Sequence, residues 1–199
     1  MSFEEAGAAS DAALCALPLL RKAGIGEGSS VLVYGASGAI GTAAVQLARH
    51  MGAEVTAYAG AHNLDLVGSL GATTVLDYRS NDPATDGRRN DMILDAVGKL
   101  SYPRIRRAMT ETGRFGASNG LINFASVPLT ARSKGRRAIF AGPAFSQPNV
   151  EYLAELMEAD AFRPVIDRTY PLEAIVEANH YVESERKTGN VVITIHGHR

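Results

Sequence analysis

The segment Val31-Leu-Val-Tyr-Gly-Ala-Ser-Gly-Ala-Ile-Gly41 decides the fold. Its first four residues predict an apolar strand, residues 35–41 predict a glycine-rich turn, and residues 42–50 have the pattern of an amphipathic helix. We refer to residues 35–41 as the glycine turn. Gly38 would let the main chain approach a diphosphate, and Gly41 would let the helix pack closely on the strand. Amide N–H groups at the start of this helix would then face the anion.

The glycine turn predicts dinucleotide binding, although its spacing departs from the usual fingerprint. The match is Ala36-x-Gly38-x-x-Gly41, with alanine in place of the first glycine. A second strand, residues 54–58, follows within about 30 residues, which is the structural context that the fingerprint requires. The predicted cofactor contacts in this region are Ala36, Ser37, Gly38, Ala39, Ile40 and Gly41. The alternative is a tight strand-to-helix turn that binds no ligand.

The end of the second strand favours NADP(H), with NAD(H) as the alternative. An NAD site normally has Asp or Glu about 20 residues after the glycines, where the carboxylate binds the ribose hydroxyls. Gly60 occupies that place here, so no carboxylate would repel a 2′-phosphate. His62, Tyr78 and Arg79 are the nearby residues that could bind it, although His62 and Arg79 could equally be solvated loop residues. The absent carboxylate also disfavours a methyltransferase-like nucleotide domain.

Strand-like apolar runs alternate with helical segments along most of the chain. This order predicts an α/β fold with a doubly wound parallel sheet, the Rossmann architecture. The predicted strands are residues 31–34, 54–58, 74–77, 92–95, 113–116 and 138–141. The predicted helices between them are residues 42–50, 63–70, 100–109, 121–131 and 150–159.

The two ends of the chain depart from this alternation. We predict an N-terminal helical segment over residues 1–24, an NAD(P)-binding domain over residues 25–160, and a C-terminal segment over residues 161–199. The C-terminal segment is interpreted as a strand-helix-strand appendage, with strands 163–170 and 190–195 around a helix at 172–185. Because an exposed strand invites pairing, the terminal strands could support a homo-oligomer.

Several local signals refine these elements. Ser2 and Glu5 have the spacing of a capping box, and Pro18 should kink or interrupt the first helix. Asn63 is well placed to cap the helix that follows it. A stripe on the last helix is expected to face the core and consists of Leu172, Ile175, Val176 and Asn179.

Composition excludes several classes of protein. The 199 residues include 20 basic and 21 acidic side chains, a balance that argues against a nucleic-acid or membrane-surface binder. No run approaches the roughly 18 apolar residues of a transmembrane helix, and the start lacks the basic region of a signal peptide. The expected location is therefore the cytoplasm. A single cysteine, Cys15, cannot form an internal disulfide or a multi-cysteine zinc site.

Other catalytic motifs fail on particular residues. The Gly98-Lys99 pair is followed by Leu100, which excludes a Walker A site. No tyrosine has a lysine four residues later, so the Tyr-x-x-x-Lys pair of short-chain dehydrogenases is missing. Asp91 and Asp95 bracket a strand and are interpreted as turn or cap residues rather than an acid/base pair.

Taken together, the segments resemble the cofactor-binding half of medium-chain dehydrogenases/reductases, in the quinone oxidoreductase and zinc-type alcohol dehydrogenase group. Two of them read Ser69-Leu-Gly-Ala72 and Asp91-Met-Ile-Leu-Asp-Ala-Val-Gly98. The matching segments follow one another along nearly the whole chain and are residues 19–28, 33–48, 69–72, 75–78, 91–98, 163–167 and 189–195.

The resemblance implies positions for the rest of the cofactor. It places Gly60, His62 and Tyr78 around the adenosine ribose, Ala96, Val97 and Gly98 along the nicotinamide side, and Ala117 and Ser118 near the nicotinamide ring. The implied reaction is NADP(H)-dependent hydride transfer to a carbonyl, quinone or enone, a small-molecule substrate. No catalytic side chain is assigned, since in zinc-independent relatives the cofactor carries the reaction.

The resemblance also implies that a catalytic domain precedes this half, with substrates bound in the cleft between the two. This chain begins after that domain, so we expect it to have little activity alone, and residues 161–199 to pack on the catalytic domain in relatives. Family zinc ligands come mostly from that domain or from a four-cysteine lobe, so no zinc is expected here. The alternative function is a non-catalytic NADP(H)-binding or interaction module.

A terminal pair, His196 and His198, is interpreted as a frayed tail rather than a metal site.

Overall fold

The computed structural model describes residues 1–118 and 120–195 and contains a six-stranded parallel sheet. The strand order is β3-β2-β1-β4-β5-β6, which confirms the predicted doubly wound Rossmann fold. The sheet strands are β1 (Ser30–Tyr34), β2 (Glu54–Ala59), β3 (Thr74–Asp77), β4 (Asn90–Asp95), β5 (Met109–Ala117) and β6 (Arg137–Ile139). The helices are α1 (Phe3–Ala23), α2 (Ala39–His50), α3 (Leu64–Ser69), α4 (Tyr102–Ile105), α5 (Leu121–Thr130), α6 (Gln147–Glu158) and α7 (Ile175–Glu183).

The strand order reverses at β1, which pairs with β2 on one side and with β4 on the other. Chain connections leave β1 and β4 toward opposite faces of the sheet, and a crevice opens at their carboxyl ends. Doubly wound proteins bind their ligands in this crevice. The glycine turn leads out of β1 and therefore lies at the switch point.

Alternate residues of β1 belong to two hydrophobic clusters, one on each face of the sheet. Val31 and Val33 pack in the larger cluster with α1, α2 and α6, whereas Leu32 packs in the smaller one with α4 and β5. All three side chains are fully buried. A strand covered on both faces is typical of a parallel sheet, and it fixes the start of the glycine turn.

Helix α1 runs unbroken through Pro18, so the predicted interruption is wrong. Proline leaves the carbonyl four residues earlier, that of Leu14, without its intrahelical partner. In this fold the Ala144 N–H donates to the Leu14 carbonyl at 3.1 Å. The capping box of Ser2 and Glu5 is confirmed, since each side chain accepts from the other residue's amide.

The predicted helix at residues 100–109 is shorter than expected. It consists of α4 and a 3-10 turn, Arg106–Ala108, and Met109 already begins β5. Asn63 occupies the N-cap position of α3, but the predicted side-chain capping hydrogen bond is absent. Its side-chain amide group instead donates to and accepts from the Thr188 hydroxyl, at 3.1 and 3.2 Å.

The C-terminal segment forms a second, two-stranded parallel sheet of β7 (Ile166–Pro171) and β8 (Asn190–Thr194). A 3-10 turn, Leu172–Ala174, and α7 connect the two strands, as the strand-helix-strand prediction requires. The prediction that a stripe on this segment faces the core is wrong. All four of its residues are exposed in the structure, namely Leu172, Ile175, Val176 and Asn179. His196 and His198 lie outside the described residues.

Candidate functional site

Two glycines of the turn are required by close packing. Gly35 has a φ of +77°, and a Cβ there would lie 2.6 Å from Cγ1 of Val97. A Cβ on Gly41 would collide with the carbonyl oxygen of Gly35 and lie 2.7 Å from Cα of Ala36. These contacts hold the start of α2 directly against the end of β1, as the sequence analysis expected of Gly41.

Gly38 has the opposite surroundings and faces open space. A Cβ at this position would meet only the Gly35 carbonyl oxygen, at an ordinary 3.6 Å. Gly38 is the N-cap of α2 and offers no side-chain acceptor, so the amides of the first helical turn lack an intrahelical partner. Unpaired amides at a helix start can bind an anionic group such as a diphosphate, and Gly38 brings no side chain in front of them.

Main-chain hydrogen bonds fix the turn between the neighbouring strands. The amides of Gly35 and Ala36 both donate to the Tyr58 carbonyl on β2, at 3.0 and 2.9 Å. On the other side, the Ala96 amide donates to the Tyr34 carbonyl at 2.9 Å. The structure thus brings the glycine turn and the loop after β4 together at one edge of the sheet.

Asp95 organises the loop after β4, which includes Val97 and Gly98. Its fully buried carboxylate accepts from the amides of Val97, Gly98 and Leu100 at 3.1, 2.9 and 2.6 Å. Burial raises the pKa of Asp95, while these hydrogen bonds act to lower it. Asp95 therefore has the turn role that the sequence predicts.

Asp91 lies at the other end of the same strand and does not meet Asp95. Its carboxylate accepts from the amide and hydroxyl of Ser30 and from the hydroxyl of Thr110. These bonds to an anionic oxygen lower the pKa of Asp91, although its partial burial opposes them. The two aspartates therefore do not form an acid/base pair.

The residues that the sequence assigned to the adenosine ribose come together in space. A Cβ on Gly60 would lie 3.1 Å from Cε1 of His62 and 3.6 Å from Cε1 of Tyr78. Three strands away from β2 in the sheet, Ala117 ends β5 and Ser118 follows it, and the Ser118 amide donates to the Asp95 carbonyl at 2.9 Å. These residues therefore all lie at the carboxyl edge of the parallel sheet. Their roles in cofactor binding stay predictions.

A cavity of about 250 Å³ adjoins Tyr78, and we call it the basic cavity. Three cations line it, and one of them, Arg104, is paired with Asp82 at 2.6 Å. The complete lining consists of Tyr34, Tyr78, Arg79, Ser80, Asn81, Asp82, Pro83, Lys99, Leu100 and Arg104. Sequence reasoning identified Arg79 but missed Lys99 and Arg104, because no local spacing links them to the second strand.

Sequence reasoning also missed the C-terminal loop, residues 184–189 between α7 and β8. Gly189 donates its amide to the Ser37 carbonyl at 2.7 Å and forms a parallel bridge with Gly38. At the other side of the site, Lys99 lies 3.6 Å from Glu185, an exposed ion pair. The loop thus touches both the glycine turn and the loop after β4.

The described residues do not provide a zinc site. Within residues 1–118 and 120–195, His, Cys, Asp and Glu side chains form no group of three or more that could hold a metal ion. Cys15 is half-buried on α1, and burial raises the pKa of its thiol. The donor set in this part of the chain therefore does not fit zinc.

Comparison with known proteins identifies the family. The family model described as zinc-binding dehydrogenase matches residues 70–193, which is more than half of the chain. The chain belongs to the zinc-binding dehydrogenase family. Within it, the chain corresponds to the cofactor-binding half of the medium-chain dehydrogenases/reductases, which confirms the resemblance seen in the sequence.

Relatives of this zinc-binding dehydrogenase domain are longer proteins. A quinone-oxidoreductase homolog of Spinacia oleracea, named as chloroplastic, is 30% identical over 85% of this chain and 54% of its own length. A 2-methylene-furan-3-one reductase of Solanum lycopersicum is 29% identical over 97% of this chain and 47% of its own length. The chain thus spans about half the length of these relatives.

Solved structures agree with the sequence relatives. The quinone oxidoreductase of Coxiella burnetii superposes with a TM-score of 0.84 at 26% identity, over 93% of this chain and 58% of that one. An NAD-dependent alcohol dehydrogenase superposes with a TM-score of 0.79 at 29% identity, over 98% of this chain and 60% of that one.

None of the helices in the described part of this domain has the length and hydrophobicity that a bilayer span requires.

Proposed function

We propose that this chain is the NADP(H)-binding half of an oxidoreductase that transfers hydride to a carbonyl, quinone or enone. The bound nicotinamide would supply the hydride, and this chain's residues would bind and orient the dinucleotide. Gly38 and the amides of Ala39, Ile40 and Gly41 would hold the diphosphate. The loop after β4 and the end of β5 would border the nicotinamide.

One observation carries the proposal: Gly38 is open whereas Gly35 and Gly41 are closely packed. The fold itself needs glycine at positions 35 and 41, because a side chain there would collide with main chain or with Val97. No packing contact requires glycine at position 38. Its absent side chain is best explained by a ligand that occupies the space above the first turn of α2.

Calorimetric titration with NADPH and NADH tests this proposal. Gly38→Val should raise the Kd by at least about tenfold, because the valine side chain would fill the space of the diphosphate. Gly26→Val is the matched control, since a Cβ there also meets open space but lies before β1, at the opposite edge of the sheet. Equal heats for the wild type and Gly38→Val would contradict the proposed site.

The basic cavity supports a preference for NADP(H). Arg79 and Lys99 line it beside Tyr78, and Gly60 places no carboxylate at the end of β2. An adenosine 2′-phosphate carries negative charge and is stabilised by such cations.

A cytoplasmic location stays a prediction.

Family substrates bind between two halves, so we propose that the 199-residue polypeptide binds cofactor but turns over slowly. Steady-state assay of the purified polypeptide with NADPH and a soluble quinone measures this. Turnover that is fast without any added domain would contradict it.

The exposed stripe of α7 favours a second candidate, a non-catalytic interaction module. Val176 is 66% exposed and Ile175 is 50% exposed, although both are large apolar side chains. Contiguous apolar surface of this kind marks an interaction face. Light scattering after size exclusion separates the candidates, since a strict monomer without a partner would remove the main support for the module.

A further inference from the structure

The C-terminal loop lies directly against the glycine turn. The buried Gly189 donates its amide to the Ser37 carbonyl at 2.7 Å, and it pairs with Gly38 in an isolated parallel bridge. Its φ is +66°, and a Cβ would collide with the Val165 carbonyl, so only glycine fits between β7 and the turn. The main chain at residue 189 is therefore held within hydrogen-bond distance of the predicted diphosphate site.

Lys187 extends its side chain along this same piece of main chain. Its Nζ donates to the carbonyl oxygen of Gly189 at 2.7 Å, which places the ammonium on the main chain of the same residue that bridges to Gly38. The side chain is half-buried, and burial lowers the pKa of its ammonium. A cation in such a place gains most from a fixed anion beside it.

No carboxylate in the described part of the chain forms a salt bridge with Lys187. Asp167 is the acid whose charge acts on it, but Oδ2 of Asp167 already accepts from the Tyr181 hydroxyl and the Thr188 amide, at 2.7 and 3.1 Å. Lys99 differs, because Glu185 lies 3.6 Å from its Nζ. Lys187 thus keeps donor capacity for a ligand.

The two residues that follow Lys187 are anchored by hydrogen bonds to other parts of the fold. Thr188 exchanges hydrogen bonds with the Asn63 amide group, and its own N–H is held by Asp167. Gly189 is held by Ser37. Because its Nζ is held by the carbonyl of one of these anchored residues, the ammonium loses less conformational entropy on binding a ligand than that of a free lysine side chain.

We propose that the Lys187 ammonium binds the diphosphate of the dinucleotide, opposite the amides of the glycine turn. This inference rests on the proposed function and adds to it a cation from the C-terminal loop. The diphosphate is common to NADPH and NADH, so Lys187 acts on affinity for both. Discrimination between them belongs to the basic cavity on the adenosine side.

Calorimetric titration of four proteins with NADPH and NADH, each at low and high salt, tests the inference. Lys187→Met should raise the Kd of both cofactors about tenfold and reduce the salt dependence of binding, because one charge-assisted contact is lost. Lys187→Arg keeps the charge and should bind within a few-fold of the wild type. Arg186→Met is the matched control, because Arg186 is the exposed neighbour and should leave both Kd values unchanged.

The possible results separate the two proposals. Loss of NADPH affinity alone would place the ammonium at the 2′-phosphate and overturn the inference, and unchanged Kd values for Lys187→Met would also overturn it. A wild type that binds neither cofactor would overturn the proposed function and the inference with it. Melting curves without cofactor check folding, and Lys187→Gln, whose amide can still donate to Gly189, replaces Lys187→Met if the methionine variant melts early.

Discussion

The buried carboxylate of Asp95 shapes the site through main-chain contacts alone. One oxygen accepts from Val97 and Gly98, and the other accepts from Leu100. An asparagine would turn an N–H₂ group toward at least one of these donors and leave it unsatisfied. The loop that carries Val97 against Gly35 would then lose its support.

Asp95→Asn should therefore lower the free energy of unfolding by about 1–3 kcal/mol. Urea denaturation followed by circular dichroism measures the change. Asp65→Asn on the exposed face of α3 is the control and should stay within about 0.5 kcal/mol of the wild type. An Asp95→Asn protein as stable as the wild type would show that the three amides find other partners.

Arg79 is the residue by which the basic cavity would recognise a 2′-phosphate. Arg79→Met should raise the Kd of NADPH about tenfold and leave that of NADH unchanged, because only NADPH carries the extra phosphate. Arg107→Met, an exposed arginine before β5 at the amino edge of the sheet, is the matched control. A parallel loss for both cofactors would contradict the assignment of Arg79.

Local sequence predicts the glycine turn because its chemistry is contained in eleven consecutive residues, 31–41. Lys99, Arg104 and Lys187 reach the site through the order of strands and through the path of the C-terminal loop. The positions of these three residues depend on the tertiary structure, and no periodicity within a short stretch of sequence indicates them. Asn63 shows the same limit, since a distant hydroxyl on Thr188 outcompetes the helix end for its amide.

At the level of whole elements, the strands were more predictable than the helices. Each predicted strand of the large sheet overlaps an observed one, because short apolar runs on covered strands leave little choice of structure. Helix α1 was mispredicted at Pro18 because the Ala144 amide, which satisfies the Leu14 carbonyl, comes from a loop far along the chain. Local propensity could not account for that partner.

Helix α1 also contains Gly7, where a Cβ would meet nothing within 4 Å. Alanine costs less backbone entropy than glycine in a helix, so Gly7→Ala should stabilise the protein by up to about 1 kcal/mol. Urea denaturation again gives the value. The contrasting variant is Gly41→Ala, whose Cβ would collide with the glycine turn, and it should destabilise. A destabilised Gly7→Ala protein would contradict the open surroundings of this position.

For the whole molecule, the apolar face of α7 is one of the surfaces that its own fold leaves exposed. Ile175→Glu with Val176→Glu should reduce any self-association of the isolated chain and leave the Kd of NADPH unchanged, because α7 packs on β7 and β8 and none of its described residues lines the basic cavity. Light scattering and calorimetry on the same preparation measure both quantities. Unaltered self-association, or a weaker affinity for NADPH, would contradict this view of the face.

The bridge between Gly38 and Gly189 joins two points that are made at very different times during translation. The first β-α-β unit can fold while the ribosome is still adding residues, since domains begin to fold from the N-terminal side. Lys187 and the hydrogen bond from Gly189 to Ser37 exist only after the last strand has left the exit tunnel. A stalled nascent chain that ends before residue 187 would therefore hold its nucleotide more weakly than the released polypeptide.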